Sequence, residues 1–258
     1  MKLAILGSGV PTSSSKKCNS GYLLEVGKIK ILIDLGNGVF KNLQKVINPI
    51  EVQGLFVSHF LHQDHINDLP PFLSYKGLMT KRAKFRKNAK KPVTIFAGKS
   101  FKQSFNLWSQ LFPVLFTRVQ DLNLIKIKEL NPKQIVRLPS LKITCAQMKH
   151  TVPCLGYRFE HKGKSIVYSG DAEYSKELVQ LAKNTDILLA DCTKPEAFTG
   201  HMGAKECGQV AREANVKTLV LTHLGMESEQ NPKMLKQIAG KYFKGKIIIA
   251  KDLMKLNI

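Results

Sequence analysis

The chain has 258 residues, 43% of them hydrophobic, which allows one large globular domain or two small ones. Lys and Arg number 40 against 19 Asp and Glu, and the formal net charge of +21 favours a polyanionic partner such as nucleic acid or a phosphorylated substrate, with solubility as the other explanation. Five cysteines without a Cys-x-x-Cys motif exclude a disulfide scaffold, and the absence of a long apolar stretch or a leader pattern excludes a membrane protein, so we expect a cytoplasmic protein.

The first half of the chain alternates strand and helix patterns. Short apolar runs bounded by Gly or polar turns predict strands at 3–6, 21–26, 29–34, 54–57 and 93–97. Helices are predicted at 39–46, from Leu69 onward, and up to Phe112 with Ser100 as the N-cap. The last of these helices carries apolar residues at helical spacing that are interpreted as core contacts: Phe101, Phe105, Leu107, Trp108 and Leu111.

A strongly basic segment, 81–91, precedes the strand at 93–97. Seven of its eleven residues are Lys or Arg, with Phe85 among them. Such a run is usually a solvated, mobile loop. It also suits contact with a nucleic-acid backbone, because phosphates attract the charges and an aromatic ring can stack on a base. The sequence leaves both interpretations open.

The second half continues with strands and then a β-α-β order. Strands are predicted at 124–127, 134–138, 141–148, 157–160, 165–168, 187–190, 218–221 and 246–250, and helices at 204–214 and 231–242. Lys162-Gly163 is the turn of a hairpin between the fourth and fifth of these strands. This order predicts a layered α/β fold in which two sheets lie between helices.

A dense group of histidines follows the apolar strand at 54–57. His59, His62 and His65 lie within seven residues, and Asp64 stands beside the last of them. Imidazole and carboxylate groups together suit zinc, iron or manganese. The alternative is a solvated loop that happens to be rich in histidine.

Three further groups of the same chemistry follow later strands. His150, Asp171 and His223 each stand just beyond an apolar run, where a rigid sheet can hold them against the first group. Alone, each would be an ordinary loop residue. Together the seven side chains are enough for two metal ions that share a carboxylate.

These residues resemble the signature of the metallo-β-lactamase superfamily, [TS]-H-x-H-x-D-H, then a His, a Gly-Asp and a Thr-His. The matching residues are Ser58, His62, Asp64, His65, His150, Gly170-Asp171 and Thr222-His223. The segments 6–12, 19–24, 31–36, 150–158 and 190–193 with His201 look like the ribonuclease Z and arylsulfatase-type branch. The resemblance covers nearly the whole chain. It implies an α/β fold, a four-layer αββα sandwich formed by a single domain spanning 1–258, with the metals at one rim of the sheets.

Two departures from the family pattern stand out. Phe60 and Leu61 separate the first two histidines, where the family has one residue, and we expect a β-bulge to turn His59 inward. Gly170 follows His150 by only twenty positions, which a hairpin fills. Ribonuclease Z enzymes usually carry a long arm there that grips tRNA, so we expect that arm to be missing.

The resemblance also implies roles for the site residues. One divalent ion, most simply zinc, with manganese or iron as alternatives, would be held by His59, His62 and His150. A second would be held by Asp64, His65 and His223. Asp171 would bridge the two, and a shared water of lowered pKa would attack as hydroxide. Asp64 would also orient that nucleophile and accept its proton. Asp191 would hold His201 in the tautomer that protonates the leaving oxygen.

These features predict a metal-dependent hydrolase, with a phosphodiester or nucleic acid as the substrate favoured by the charge. One alternative is hydrolysis of small sulfate, phosphate or thioester substrates. Another is a nucleic-acid-binding module whose metal site is impaired by the extra residue before His62. The sequence allows a homodimer, and hydrolysis of β-lactams does not follow from the fold.

Overall fold

The structure is a computed structural model that describes residues 1–116 and 119–258, together with the helical backbone of the two residues between them. The strands are β1 (Lys2–Gly7), β2 (Gly21–Val26), β3 (Ile29–Ile33), β4 (Gly54–Phe56), β5 (Val93–Gly98), β6 (Ile125–Leu130), β7 (Ile135–Leu138), β8 (Leu141–Met148), β9 (Cys154–His161), β10 (Lys164–Tyr168), β11 (Ile187–Asp191), β12 (Thr218–Thr222), β13 (Lys246–Ile249) and β14 (Lys255–Asn257). The helices are α1 (Val39–Val46), α2 (Leu69–Met79), α3 (Arg86–Ala89), α4 (Phe101–Leu111), α5 (Pro113–Asp121), α6 (Lys176–Ala182), α7 (Ala204–Glu213), α8 (Met226–Gln230) and α9 (Pro232–Tyr242).

The strands form two mixed sheets. The first has the order β14-β1-β2-β3-β4-β5-β6, and the second has the order β13-β12-β11-β10-β9-β8-β7. The run from β3 to β6 is parallel, as is the run from β10 to β13, and the remaining pairs are antiparallel. Because the carboxyl ends of parallel strands meet at one edge, the segments that follow β4, β10 and β12 can converge.

Three apolar layers hold the sheets and helices together. Between the sheets, Phe56 stacks on Phe96 with ring centroids 4.4 Å apart, and Tyr157 and Phe159 pack edge-on against Phe56. The outer face of the first sheet packs against α1, α2, α4 and α5, and that of the second sheet packs against α6, α7 and α9. The predicted four-layer αββα sandwich is confirmed.

The helix predicted after Ser100 is present, with Ser100 at the N-cap position as predicted. Ser100 has a left-handed backbone (φ 69°), and its side chain makes no capping hydrogen bond. Leu107 and Leu111 were predicted as core contacts but are 58% and 70% exposed, whereas Phe101 and Phe105 are buried. The helix therefore packs against the sheet mainly through its first two turns.

The hairpin predicted at Lys162-Gly163 is present. Both turn residues have positive φ, 47° and 75°, which suits a tight two-residue connection between β9 and β10. This hairpin occupies the stretch between His150 and Gly170. The long arm expected of ribonuclease Z is therefore absent from these described residues, as the sequence predicted.

The basic segment 81–91 contains the short helix α3 rather than forming only a loop. All seven of its Lys and Arg side chains are exposed, while Ala89 is buried and Phe85 is half-buried. The segment leads into the amino end of β5, at the edge of the first sheet opposite the carboxyl ends of β4 and β5. Among the described residues, no helix combines the length and the apolar character needed to cross a bilayer.

Candidate metal centre

The seven side chains predicted as metal ligands come together at one rim of the two sheets. His59, His62, Asp64 and His65 lie in the segment after β4, and His150 follows β8. Asp171 follows β10 after Gly170 (φ 61°), and His223, with a left-handed backbone (φ 55°), follows β12. His59, His62 and His150 form one group and Asp64, His65 and His223 form another, and Asp171 contacts both.

The first group joins three imidazoles and one carboxylate oxygen. His62 Nδ1 lies 3.1 Å from His59 Nε2 and 3.5 Å from His150 Nε2. Asp171 Oδ2 lies 3.7 Å from His59 Nε2 and 3.8 Å from His150 Nε2. Four donor atoms therefore surround one point.

The second group lies on the other side of Asp171. Asp64 Oδ2 is 3.5 Å from His65 Nε2 and 3.2 Å from His223 Nε2, and the two imidazole nitrogens are 3.3 Å apart. Asp171 Oδ1 is 3.3 Å from each of those nitrogens. One carboxylate thus offers one oxygen to each group.

The donor sets fit divalent ions. A tetrahedral zinc with ligands at about 2.0–2.1 Å has neighbouring donors about 3.3 Å apart, close to the separations in both groups. Asp171 Oδ1 is buried without a hydrogen-bond partner among the described residues. An unpartnered buried carboxylate oxygen is costly, and a bound cation would satisfy it.

Hydrogen bonds from the Nδ1 atoms orient four of the five imidazoles. His65 Nδ1 lies 2.7 Å from Asp34 Oδ2, and His150 Nδ1 lies 2.8 Å from the Gly200 carbonyl oxygen. His223 Nδ1 is 2.8 Å from Thr193 Oγ1, and His59 Nδ1 is 3.2 Å from Ser58 Oγ. A proton on Nδ1 leaves the Nε2 lone pair facing the centre, as metal ligation requires. His62 presents Nδ1 instead.

Asp34 also contacts the site residues, although the sequence did not identify it as part of the site. It is fully buried, with φ 54°, directly after β3. Its carboxylate accepts hydrogen bonds from the Ser58 amide and hydroxyl, at 2.7 Å each, and from the Tyr168 hydroxyl at 2.8 Å. It therefore fixes both His65 and the start of the histidine segment. A carboxylate directly after a buried strand was the available signal.

His59 reaches the first group without the predicted β-bulge. That prediction is wrong: β4 pairs with β3 and β5 in continuous register and ends at Phe56. The loop that follows takes up the extra residue. It is held at Ser58, whose carbonyl accepts a hydrogen bond from the Leu155 amide at 2.8 Å. His59 is buried there, with Nε2 facing His62 and Asp171.

Asp191 and His201 form a pair beside the metal groups. His201 Nδ1 lies 2.8 Å from Asp191 Oδ2, so the proton on Nδ1 leaves Nε2 free. The imidazole is stacked between Phe198, 4.6 Å away, and His223, 5.6 Å away. Asp191 could also be counted with Asp171, His201 and His223 as a metal group. Its oxygens, however, already accept hydrogen bonds from His201, Thr193 and the Ala172 amide.

The charges at the centre are strongly coupled. Burial lowers the pKa of His59 and of His150, which keeps these imidazoles neutral. Burial opposes protonation of His223, but the neighbouring carboxylates, led by Asp171, raise its pKa to about 10. Burial likewise opposes ionisation of Asp64, but its hydrogen bond with His223 brings its pKa to about 2. Cations bound at the centre would displace the imidazole proton that now balances these carboxylates.

A cavity of about 510 Å³ opens above the two groups. His62, Asp64, Asp171 and His223 line this cavity, together with His201.

Comparison with known proteins places the chain in a family. The family model described as "Beta-lactamase superfamily domain" matches residues 30–224, three quarters of the chain.

The chain belongs to the metallo-β-lactamase superfamily. It is 25% identical over 257 residues to "Probable metallo-hydrolase YhfI" of Bacillus subtilis, covering 98% of both chains. It is 23% identical to a ribonuclease Z of Archaeoglobus fulgidus, covering all of this chain and 97% of that protein. That alignment spans 320 positions, so ribonuclease Z has segments that this chain lacks.

Solved structures of this superfamily share the fold. The crystal structure of YhfI matches 99% of this chain and 98% of its own, with a TM-score of 0.83 and 24% identity. A diphosphatase from the PhnP family matches 99% of this chain and 96% of its own, with a TM-score of 0.71 and 18% identity. The chain is therefore a metallo-hydrolase of this superfamily, related to ribonuclease Z.

Proposed function

We propose that this metallo-hydrolase is a phosphodiesterase that uses two divalent metal ions and acts, as a single domain spanning 1–258, on nucleic acid or another phosphodiester. The observation that carries the proposal is the placement of Asp171. Its Oδ2 faces His59 and His150, and its Oδ1 faces His65 and His223. A carboxylate shared in this way suits two ions held side by side.

Each residue has a role in the proposed reaction. His59, His62 and His150 hold one ion, and Asp64, His65 and His223 hold the other. When bound, the two ions supply an activated water and neutralise charge on the phosphoryl oxygens. Zinc is the first choice because both donor sets combine imidazole nitrogen with carboxylate oxygen at tetrahedral spacing, and manganese or iron are alternatives.

Proton transfer falls to Asp64 and His201. Asp64 offers Oδ2 to the second group. Its other oxygen would accept a proton from the attacking water. His201, held by Asp191 through Nδ1, would protonate the leaving oxygen from Nε2 when both ring nitrogens carry a proton, and would be left as the neutral imidazole with its proton on Nδ1. Asp191 is thus a positioning residue, while His201 is the acid.

Two observations favour a phosphodiester over a sulfate or thioester. The net charge of +21 attracts polyanions. Relatives at full coverage are named ribonuclease Z, and a structural neighbour is named a diphosphatase. The short hairpin between β9 and β10 stands where ribonuclease Z enzymes usually carry a tRNA-gripping arm, which favours a short or small phosphodiester as a second candidate. The cluster around His59 argues against a binding module with an impaired site.

Metal analysis and a substrate screen test the proposal together. The purified protein is measured for metal content and assayed on bis-p-nitrophenyl phosphate, p-nitrophenyl phosphate, p-nitrophenyl sulfate, a thioester and short RNAs. We expect about two ions per chain and hydrolysis of the diester above that of the monoester and the sulfate. A protein that holds two ions but prefers the sulfate or the thioester would contradict the phosphodiester assignment. A metal-free protein that binds RNA without cleaving it would contradict the enzyme assignment.

A further inference from the structure

The two residues between His59 and His62 point to different parts of the molecule. Phe60 is half-buried and packs edge-on against Phe101 at the start of α4, with ring centroids 5.2 Å apart. Leu61 is 56% exposed and lines the cavity above the metal groups. Phe60 therefore anchors the loop, and Leu61 is displayed at the mouth of the site.

Leu61 shares the wall of the cavity with two other apolar residues. Of the described residues that line the cavity, only Leu61, Val10 and Pro11 are apolar. The segment that carries Val10 is held in place: the Val10 amide donates to Ser13 Oγ at 2.7 Å, and Ser13 Oγ donates to the Leu224 carbonyl at 2.7 Å. A fixed apolar surface beside a metal centre suits the organic part of a substrate.

The position of His201 indicates which part of the substrate this surface contacts. His201 lines the same cavity from the segment between β11 and α7, on the second sheet. It is the proposed proton donor to the leaving oxygen, so the leaving group lies on its side. Leu61 comes from the first sheet, in the loop after β4. The substituent that stays on the phosphoryl group therefore faces Leu61.

We propose that Leu61, with Val10 and Pro11, forms a subsite for an apolar, preferably aromatic, substituent retained on the phosphoryl group. The inference rests on the proposed function, because it needs a phosphoryl centre at the metal groups. It adds a selectivity that the metal ligands cannot supply, since they contact only the charged part of a substrate. A phosphodiester with a flat organic group is preferred over one with a methyl group.

A pair of substrates with one leaving group measures this selectivity. Phenyl p-nitrophenyl phosphate and methyl p-nitrophenyl phosphate both release p-nitrophenolate and differ only in the retained group. In the Leu61→Ala variant, we expect the ratio of kcat/KM for phenyl over methyl to fall roughly fivefold, because most of the apolar contact is removed. Leu61→Phe keeps the apolar surface and should hold the ratio at or above that of the unmodified protein.

The matched control is Leu107→Ala, an equally exposed leucine on α4 that does not line the cavity. It should leave the ratio unchanged. Metal content is measured for every variant, and it should equal that of the unmodified protein. If Leu61→Ala lowers kcat/KM equally for both esters, or leaves the ratio unchanged, the subsite is wrong.

Binding separates this inference from the proposed function. Phenylphosphonate and methylphosphonate are titrated by calorimetry, which needs no turnover. The subsite is supported if phenylphosphonate binds more tightly than methylphosphonate and Leu61→Ala abolishes this difference. This result would support the subsite even if the protein hydrolysed neither ester, an outcome that would contradict the phosphodiesterase assignment. Equal binding of the two phosphonates by the unmodified protein overturns the subsite.

Discussion

His59 and His62 are separated by two residues, yet their ring nitrogens Nε2 and Nδ1 come within 3.1 Å. The motif alone raised the concern that the extra residue would remove His59 from the site. The loop avoids this because Ser58 is held on both sides, by Asp34 and by the Leu155 amide. Burial of His59 with its Nε2 turned toward Asp171 is thus a consequence of contacts that are remote in sequence.

Replacing His59 tests whether it holds an ion. We expect His59→Ala to reduce the metal content from about two ions per chain to about one, because three of the four donors in the first group do not complete a tetrahedral site. Elemental analysis after dialysis measures the stoichiometry. The control is His161→Ala, because His161 ends β9 whereas Cys154, at the start of that strand, contacts His59. Retention of two tightly held ions by His59→Ala would exclude His59 as a ligand.

Replacing His201 tests its role as a proton donor. We expect His201→Ala to slow hydrolysis of methyl phenyl phosphate by about a hundredfold, within the usual contribution of a general acid. Hydrolysis of methyl p-nitrophenyl phosphate should change much less, because p-nitrophenolate leaves without protonation. Steady-state rates for the two esters give the comparison. An equal loss on both, or no loss on either, is incompatible with this role.

At the scale of elements, α2 contains an unusual buried charge. Leu69, Phe72, Leu73 and Lys76 recur at helical spacing and all face the interior. Lys76 is 1% exposed, and its Nζ has no hydrogen-bond partner among the described residues. Burial lowers its pKa from 10.5 to about 8. One pKa unit is about 1.4 kcal/mol, so this shift corresponds to about 3 kcal/mol of lost stability at pH 7.

Replacing Lys76 should therefore stabilise the protein. Lys76→Met is expected to raise the free energy of unfolding at pH 7 by up to about 3 kcal/mol. Between pH 8 and 10.5 the unfolded chain binds the proton that folded Lys76 has lost, so the stability of the unmodified protein rises with pH. The variant lacks this rise. Urea denaturation from pH 7 to pH 10 measures both effects.

The control for this experiment is Lys236→Met, an exposed lysine on α9. Lys236→Met changes the net charge by the same amount as Lys76→Met, but it removes no buried amine. A Lys76→Met protein that is less stable than the unmodified protein at pH 7 would show that the amine has a compensating partner.

The sequence patterns did not predict several short elements, and the reason differs from one element to the next. Helix α6 has seven residues, too short for a clear periodicity, although Ser175 caps it by accepting a hydrogen bond from the Leu178 amide. Strand β14 has three residues and is defined by pairing with β1, which is distant in sequence. Short elements depend on tertiary contacts more than on their own sequence.

At the scale of the whole molecule, the formal net charge is +21, and seven of the Lys and Arg residues lie in the basic segment 81–91. The basic segment 81–91 lies beyond the end of α2, and the eleven residues of that helix span about 16 Å. We therefore expect a dinucleotide at the metal groups to be too short to reach this segment. A longer RNA strand could contact both.

Neutralising the basic segment tests this distinction. With Lys81, Lys84, Lys87 and Lys90 changed to Gln, we expect the salt dependence of binding to a long single-stranded RNA to fall by about two to three units of slope, at about 0.7 per phosphate contact. Turnover of bis-p-nitrophenyl phosphate should not change. Binding titrations at several salt concentrations give the slope.

Four lysines elsewhere serve as the control: Lys233, Lys236, Lys241 and Lys244, on or just after α9. Their replacement lowers the net charge equally. If both quadruple variants reduce the slope to the same extent, the segment 81–91 acts only through the general charge of the protein.

The sequence by itself determined which residue types meet at the rim. His and Asp side chains that follow apolar strands are predicted to converge, because parallel strands end at a common edge. His65 and His223 are 158 positions apart, yet both were identified from this local signal. The layered α/β fold followed from the order of strands and helices for the same reason: burial of apolar faces leaves few arrangements.

Only the tertiary structure decided which atoms face the centre. Contacts between distant segments bury Asp34 and direct Leu61 toward the cavity. They also hold His65 through Nδ1, so that its Nε2 faces Asp171. The same holds for the lack of a hydrogen-bond partner for Lys76 among the described residues. Periodicity specifies the face on which a side chain lies, whereas its orientation and its partners are set by packing against residues that the local sequence does not contain.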